Sequence, residues 1–208
     1  PAWITDVEPL FTIAGVAIGP LAWYCFVMGM TPGPNNLMLA ASGMNFGWRR
    51  TVPHMLGVLA GFCTLVFAAG LGIGTLYARH PELQATLRWV GAGVLVYLAW
   101  RVATASRAEH PADAKPLRFI EAAAFQFANP KGWVFAVTTA AAFLSDGGLA
   151  GALVLTVAAS IITVLSTNTW TLFGTALARI IRTERTQRIV NLGFAVALLA
   201  TVPLIVMA

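Results

Sequence analysis

Six stretches of the chain stay apolar for about 20 residues or more, the length a helix needs to cross a bilayer core about 30 Å thick. They run over about 12–47, 52–77, 84–104, 119–144, 149–177 and 188–207. Two of them are interrupted where a membrane helix should be continuous. The first contains "MGMTPGPNNL" at 28–37, and the fourth contains "NPK" at 129–131. Strands long enough for a membrane barrel would alternate polar and apolar residues. These stretches do not alternate, so an all-α membrane protein with six transmembrane helices is expected.

Composition excludes the soluble alternative. Only 10% of residues are charged, against 58% hydrophobic and a mean hydropathy of +0.77. A soluble domain carries about 25% charge. Cys25 and Cys63 fall in apolar runs and give no disulfide framework or metal spacing, so they read as packing residues. His54, His80 and His110 lie far apart near predicted loops, and His54 reads as an interface residue beside Pro53. No cofactor motif is present, and the first residues, "PAWITDVEPL", lack the basic start and cleavage site of a signal peptide.

The net charge of +5 does not point to nucleic acid, because its placement follows membrane topology. Arg49, Arg50, Arg101, Arg107, Lys115, Arg118, Arg179, Arg182, Arg185 and Arg188 fall in connections on one side. Arg79 and Arg88 fall on the other, and Lys131 lies inside a span. Cytoplasmic loops collect Lys and Arg. Both termini are therefore expected outside the cytoplasm, with Asp6 and Glu8 at the start compatible with that side.

The polar stretch "ASRAEHPADAKP" divides the chain. It is too short to be a domain and reads as a cytoplasmic linker, about 105–118, between a first repeat at 12–104 and a second at 119–208. The whole chain then forms one transmembrane domain. Three spans per half place the second half in the membrane from the opposite side, so duplicated halves would be inverted repeats. The breaks support this reading: Pro34 and Pro130 are 96 residues apart, each in the first helix of its half. Gly57 with Gly61, and Gly70 with Gly74, offer close helix approach; packing within the chain is preferred over a homodimer face.

Proline removes a backbone donor and clashes with the preceding turn. In lipid such a break survives only where it is buried in protein or lines a wet cavity. Pro34 suits the first turn of a new half-helix with Thr31 or Gly33 near its cap. The free N–H groups and positive dipole end of that half-helix would point at the midplane, beside Asn35 and Asn36. Asn129, Pro130 and Lys131 would repeat the arrangement with a full positive charge. Such a site favours an anion, and a carboxylate is the expected one. Gln126, Asn168, Trp170 and Asn191 are further polar or amphipathic residues within spans, each open to a reading as an interhelical contact or a ligand. Glu121 is not expected to reach Lys131.

"TPGPNNLMLAASGMNFGWRRT" followed by "HMLGVLAGF", and then "FQFANPKGW", resembles the LysE/RhtB family of amino-acid exporters from about residue 19 onward. The resemblance implies a bacterial inner-membrane exporter, driven by the proton gradient, with a small amino acid as its partner besides membrane lipid. It carries over Thr31, Pro32, Gly33, Pro34 and Asn35 as one motif, and Asn129, Pro130 and Lys131 as the other. Many relatives carry an acidic residue after "PGP", where this chain has Asn35. That departure argues against a basic substrate and favours a neutral one, of the threonine/homoserine or cysteine/O-acetylserine type. An inorganic or metal-ion exporter would need an acidic oxygen cluster, and an enzyme a poised acid, base or nucleophile set; the sequence offers neither. A scaffold whose breaks only shape packing remains the third alternative.

Overall fold

The computed structural model describes residues 12–13, 16–105, 115–144, 148–181 and 183–207. Asp6, Glu8, Arg107, His110, Arg182 and most of the 105–118 linker lie outside the described residues.

Among the described residues the chain is almost wholly helical: α1 (Ile18–Met30), α2 (Pro34–Gly70), α3 (Ile73–Arg79), α4 (Pro81–Ala103), α5 (Phe119–Ala128), α6 (Pro130–Phe143), α7 (Leu149–Ile180) and α8 (Glu184–Val206). The first apolar stretch does not begin as a helix. Two-residue strands β1 (Thr12–Ile13) and β2 (Val16–Ala17) pair antiparallel, with Thr12 opposite Ala17 and Ile13 opposite Val16. Three of these four residues are β-branched, which favours extended backbone.

Helix α2 is not a straight rod. Gly47 has φ 76 and ψ 167, a corner that suits glycine because no Cβ opposes positive φ. Contacts with α7 show that the chain reverses there. Before the corner, Asn36 meets Ser166 and Gly43 meets Thr175, in ascending order. After it, Cys63 meets Ser160 and Gly70 meets Ala152, in descending order. The first arm therefore runs parallel to α7 and the second antiparallel. The expected polar connection near 47–52 is a one-residue elbow.

The second apolar stretch is also divided, against expectation. It ends at Gly70, turns through Leu71 and Gly72 (φ 96), and resumes as α3. A left-handed glycine just past a helix end is a common stop.

Among the described residues, three helices are long and apolar enough to cross a membrane: Pro34–Gly70, Leu149–Ile180 and the Glu184–Pro203 part of α8. At 1.5 Å per residue, the second arm of α2 alone is about 35 Å long. Helix α4 has the same length but carries Glu82, Arg88 and Arg101. Trp23, Trp89, Ile120, Ile161 and Ile180 are exposed on the outside, whereas Gln126, Asn191, Thr51 and Thr139 are buried. That inside-out distribution is what lipid surroundings require.

Glycines set how closely the helices cross. A Cβ on Gly174 would overlap the Ala40 carbonyl, and one on Gly43 the Thr171 carbonyl, so α7 and the first arm of α2 touch backbone to backbone. Gly57 and Gly61 approach the Phe119 and Ala123 carbonyls of α5 in the same way. Backbone cannot yield as a flexible side chain can, and overpacking costs about 1–3 kcal/mol or more. Gly174→Ala is expected to lower the melting temperature of the purified protein by several degrees. Gly193→Ala, where a Cβ meets nothing within 4 Å, is expected to match or exceed the parent. Thermal unfolding followed by size-exclusion chromatography reads both.

Candidate functional site

The two interruptions lie side by side in the bundle. At the first, Thr31 is extended (φ −61, ψ 137), as the residue before a proline prefers. Its hydroxyl donates back to the Val27 and Met28 carbonyls and finishes α1. Pro34 then occupies the first turn of α2, where its missing N–H costs nothing. The carbonyls freed by the break are met by side chains. Asn36 donates from Nδ2 to the Gly29 and Thr31 oxygens at 2.8 and 2.9 Å. Ser166 of α7 donates to the same Gly29 oxygen at 2.7 Å.

The second break repeats the plan with other residues. Asn129 (φ −92, ψ 105) separates α5 from α6, and Pro130 again opens the new helix. Trp133 donates its indole N–H to the Phe127 carbonyl at 2.9 Å. The Asn129 side-chain oxygen is buried and has no hydrogen-bond partner among the described residues.

The breaks are tied to each other by two diagonal contacts. Asn35 and Gln126 exchange amide hydrogen bonds of 2.7 and 3.2 Å. The Lys131 ammonium donates to the Thr31 carbonyl at 2.9 Å. Asn35 and Lys131 are each the second residue of a half-helix, and each reaches the opposite interruption. Lys131 thereby sits at the negative end of the α1 dipole. Only one of its three donors is used by that contact. Gly33 makes room for it: a Cβ there would lie 3.0 Å from the Lys131 Cδ and 3.1 Å from Nζ.

A cavity of about 70 Å³ opens between these elements. Gly33, Asn35, Asn36, Asn129, Lys131 and Ser166 line it, with Phe62 and Phe135 among the apolar walls. The openings of α2 and α6 both face it, so the free N–H groups of their first turns add to the Lys131 charge. The unpartnered Asn129 oxygen supplies an acceptor. The arrangement can hold a carboxylate and, beside it, one hydrogen-bond donor.

The sequence-derived residues divide accordingly. Gly33, Pro34, Asn35, Asn36, Asn129 and Lys131 line the cavity, and Gln126 supports it through Asn35. Thr31 and Pro32 form the outer edge of the first break, exposed. Pro130 abuts α4, where a Cβ on Gly91 would lie 3.8 Å from its ring. Asn168 and Trp170 do not reach the cavity. Asn168 accepts the Trp48 indole N–H at 3.0 Å, and Trp170 packs edge-on to Phe173. The reason is rotation: Asn168 lies two residues past Ser166, about 200° around the helix. The residues that α7 does contribute, Thr163, Ser166 and Thr167, share one face at spacings of three and four. That spacing was available in the sequence but was outweighed by the more polar amide. Asn191 is an interhelical contact, exchanging bonds with Asn45 and donating to the Ala105 carbonyl. Glu121 bonds the Arg118 N–H at its own helix start, away from Lys131.

These features define a helical membrane protein with an internal, cationic polar site between two broken helices. The chain belongs to the LysE type translocator family, whose model matches residues 26–205. It is similar to the cysteine/O-acetylserine efflux protein of Escherichia coli strain K12, 34% identical over 122 residues. The match covers 58% of this chain and 62% of that protein. Proteins of the same description from Shigella flexneri and from Escherichia coli O1:K1 are 34% and 33% identical over the same length. The chain thus spans about three fifths of the length of the curated relatives it matches. No solved structure is similar to it.

Asn35→Leu strands the buried Gln126 amide, and an unpaired buried polar group costs about 1–3 kcal/mol. Asn35→Leu and Gln126→Leu combined are expected to destabilise by clearly less than the sum of the two singles. A double-mutant cycle on the purified protein measures this.

Proposed function

We propose that the protein is a multi-pass inner-membrane exporter of small neutral amino acids or their derivatives, coupled to the proton gradient. The observation that carries this reading is the cavity where the Lys131 ammonium and the starts of α2 and α6 converge beside the lone Asn129 acceptor. A zwitterion matches it: the carboxylate takes the cationic side, and the ammonium takes the acceptor. Asn35, at the position where the family resemblance implies an acid in many relatives, pairs with the neutral Gln126, which favours a substrate without a second positive charge. The likeness to cysteine/O-acetylserine efflux proteins supports cysteine and O-acetylserine as first candidates; threonine and homoserine are the further candidates.

Six spans in two inverted halves are part of the same proposal. In this reading α1 with the first arm of α2 is one broken span, and α5 with α6 is the other. Its support is reciprocal packing. Helix α1 lies on α7 through Gly29, whose Cβ would meet Ile162 at 2.8 Å, while α5 lies on the second arm of α2 through Gly57 and Gly61. The broken spans thus each rest on the middle helix of the other half. The Arg-rich connections favour a cytoplasmic end at the Gly47 corner, with both termini on the other side.

The cavity, at about 70 Å³, is well below the size of small-molecule sites. Loading requires the broken helices to part, and alternating exposure follows from rocking one half against the other. The site is complete within one chain.

Efflux of labelled amino acids from loaded cells, with and without the protein, tests the reading. Saturable efflux of a neutral amino acid is expected. Lys131→Gln and Asn129→Ala are each expected to lower it at least tenfold at unchanged membrane abundance. Loss of abundance without loss of efflux per molecule would instead favour breaks that serve packing alone.

A further inference from the structure

A larger cavity, of about 320 Å³, lies at the other end of the bundle beside the Gly47 corner. Ser42, His54, Arg101 and Lys115 line it, with Met38 and Leu98 among the apolar walls. His54 does not sit at an interface, as its place beside Pro53 suggested. It is 1% exposed, and both ring nitrogens lack a hydrogen-bond partner among the described residues. An imidazole always presents at least one N–H, and in its neutral form also an acceptor. Leaving both unmade in the interior is costly, so the ring calls for a partner supplied from the cavity.

The charge around it has one sign. Arg101 donates from Nη2 to the Lys115 carbonyl at 3.0 Å, and its guanidinium lies 5.9 Å from the Tyr97 ring centre. Among the described residues its remaining donors are uncommitted and it has no carboxylate partner. Among the described residues, no acidic side chain lines the cavity. The Ser42 hydroxyl pairs with Thr51 at 3.0 Å and keeps a lone pair in reserve.

The location matters as much as the chemistry. Asn45 joins Asn191 and Gln187, and Asn191 joins Ala105, so the ends of α4 and the first arm of α2 and the start of α8 meet here. This is the Arg-rich end. The two cavities are nearly in line: His54 borders the larger one and Val58 the smaller, one helical turn apart on the second arm of α2. The larger one falls in the size range of small-molecule sites, the smaller well below it.

We propose that this cavity is a second binding site for a small α-amino acid, with Arg101 holding the carboxylate and His54 and Ser42 receiving the ammonium group. The inference rests on the export reading, and makes this the place where a whole solute docks before reaching the Lys131 cavity. A guanidinium fork suits a carboxylate in two-point contact. A neutral imidazole nitrogen and a hydroxyl oxygen are acceptors for an ammonium.

Equilibrium binding of radiolabelled O-acetyl-L-serine to the purified full chain in detergent tests it. A site that survives Lys131→Gln is expected. Arg101→Gln and His54→Leu are each expected to raise its Kd at least tenfold. In the unsubstituted protein, where folding is not at issue, the methyl ester of the same amino acid is expected to compete at least tenfold less well than the acid. Binding that is insensitive to Arg101→Gln and His54→Leu overturns the proposal. So does equal competition by ester and acid, or an Arg101-dependent site filled by phosphatidylglycerol and not by the amino acid. Efflux is read separately in cells. Arg101-dependent binding without efflux would defeat the export reading alone, and efflux without this site would defeat the second site alone.

Discussion

Backbone polar groups cut loose inside a bilayer have no water to bond, and their satisfaction organises this structure. Prolines at 34 and 130 open new half-helices and leave the preceding carbonyls without their helical partners. Asn36 and Trp133 answer those carbonyls from neighbouring turns, and Ser166 and Lys131 answer them from the other half of the chain. Each answer needs a donor held within bonding distance. The helices that carry those donors must therefore cross closely, and the glycine contacts of α7 with α2, and of α2 with α5, allow it. Packing and site are two consequences of one demand.

The elbow at Gly47 gives this arrangement its economy. By reversing the chain in one residue, it lays both arms of α2 along α7, and the same long helix contacts the chain before and after the turn. The two apolar clusters follow the division. One joins α1, the second arm of α2, α6 and α7; the other joins the first arm of α2 with α4, α5 and α8. The polar cavity lies where the broken helices bring the first group to the second.

The breaks were readable in the sequence because proline in an apolar run has few physical outcomes, and two at matched places in the halves have fewer. The residues flanking them were readable for the same reason. Other features depended on contacts that no local pattern encodes. Thr12–Ile13 and Val16–Ala17 resemble the rest of their apolar stretch, yet pair as short strands, three of their four residues being β-branched. The stop at Leu71–Gly72 hid inside a glycine spacing that suggested packing. Lys131 was legible as a charge in a span, but its bond to Thr31 depends on the two halves meeting. Asn168 drew attention by its amide, while helical rotation gave the cavity to Ser166. His54 looked peripheral beside a proline, and only the reversal at Gly47 carries it inside.

The diagonal between Lys131 and Thr31 joins an ammonium to an uncharged oxygen. Hydrogen bonds in which both partners are ionised are stronger than those to a neutral carbonyl. In the export reading an arriving anion is the better mate, and its capture would remove one of the two bonds that tie the end of α1 to the far half of the chain, leaving that of Ser166 to Gly29. Under the proposed export cycle, cargo would be its own key: docking would loosen one strut between the halves, and departure would let it re-form.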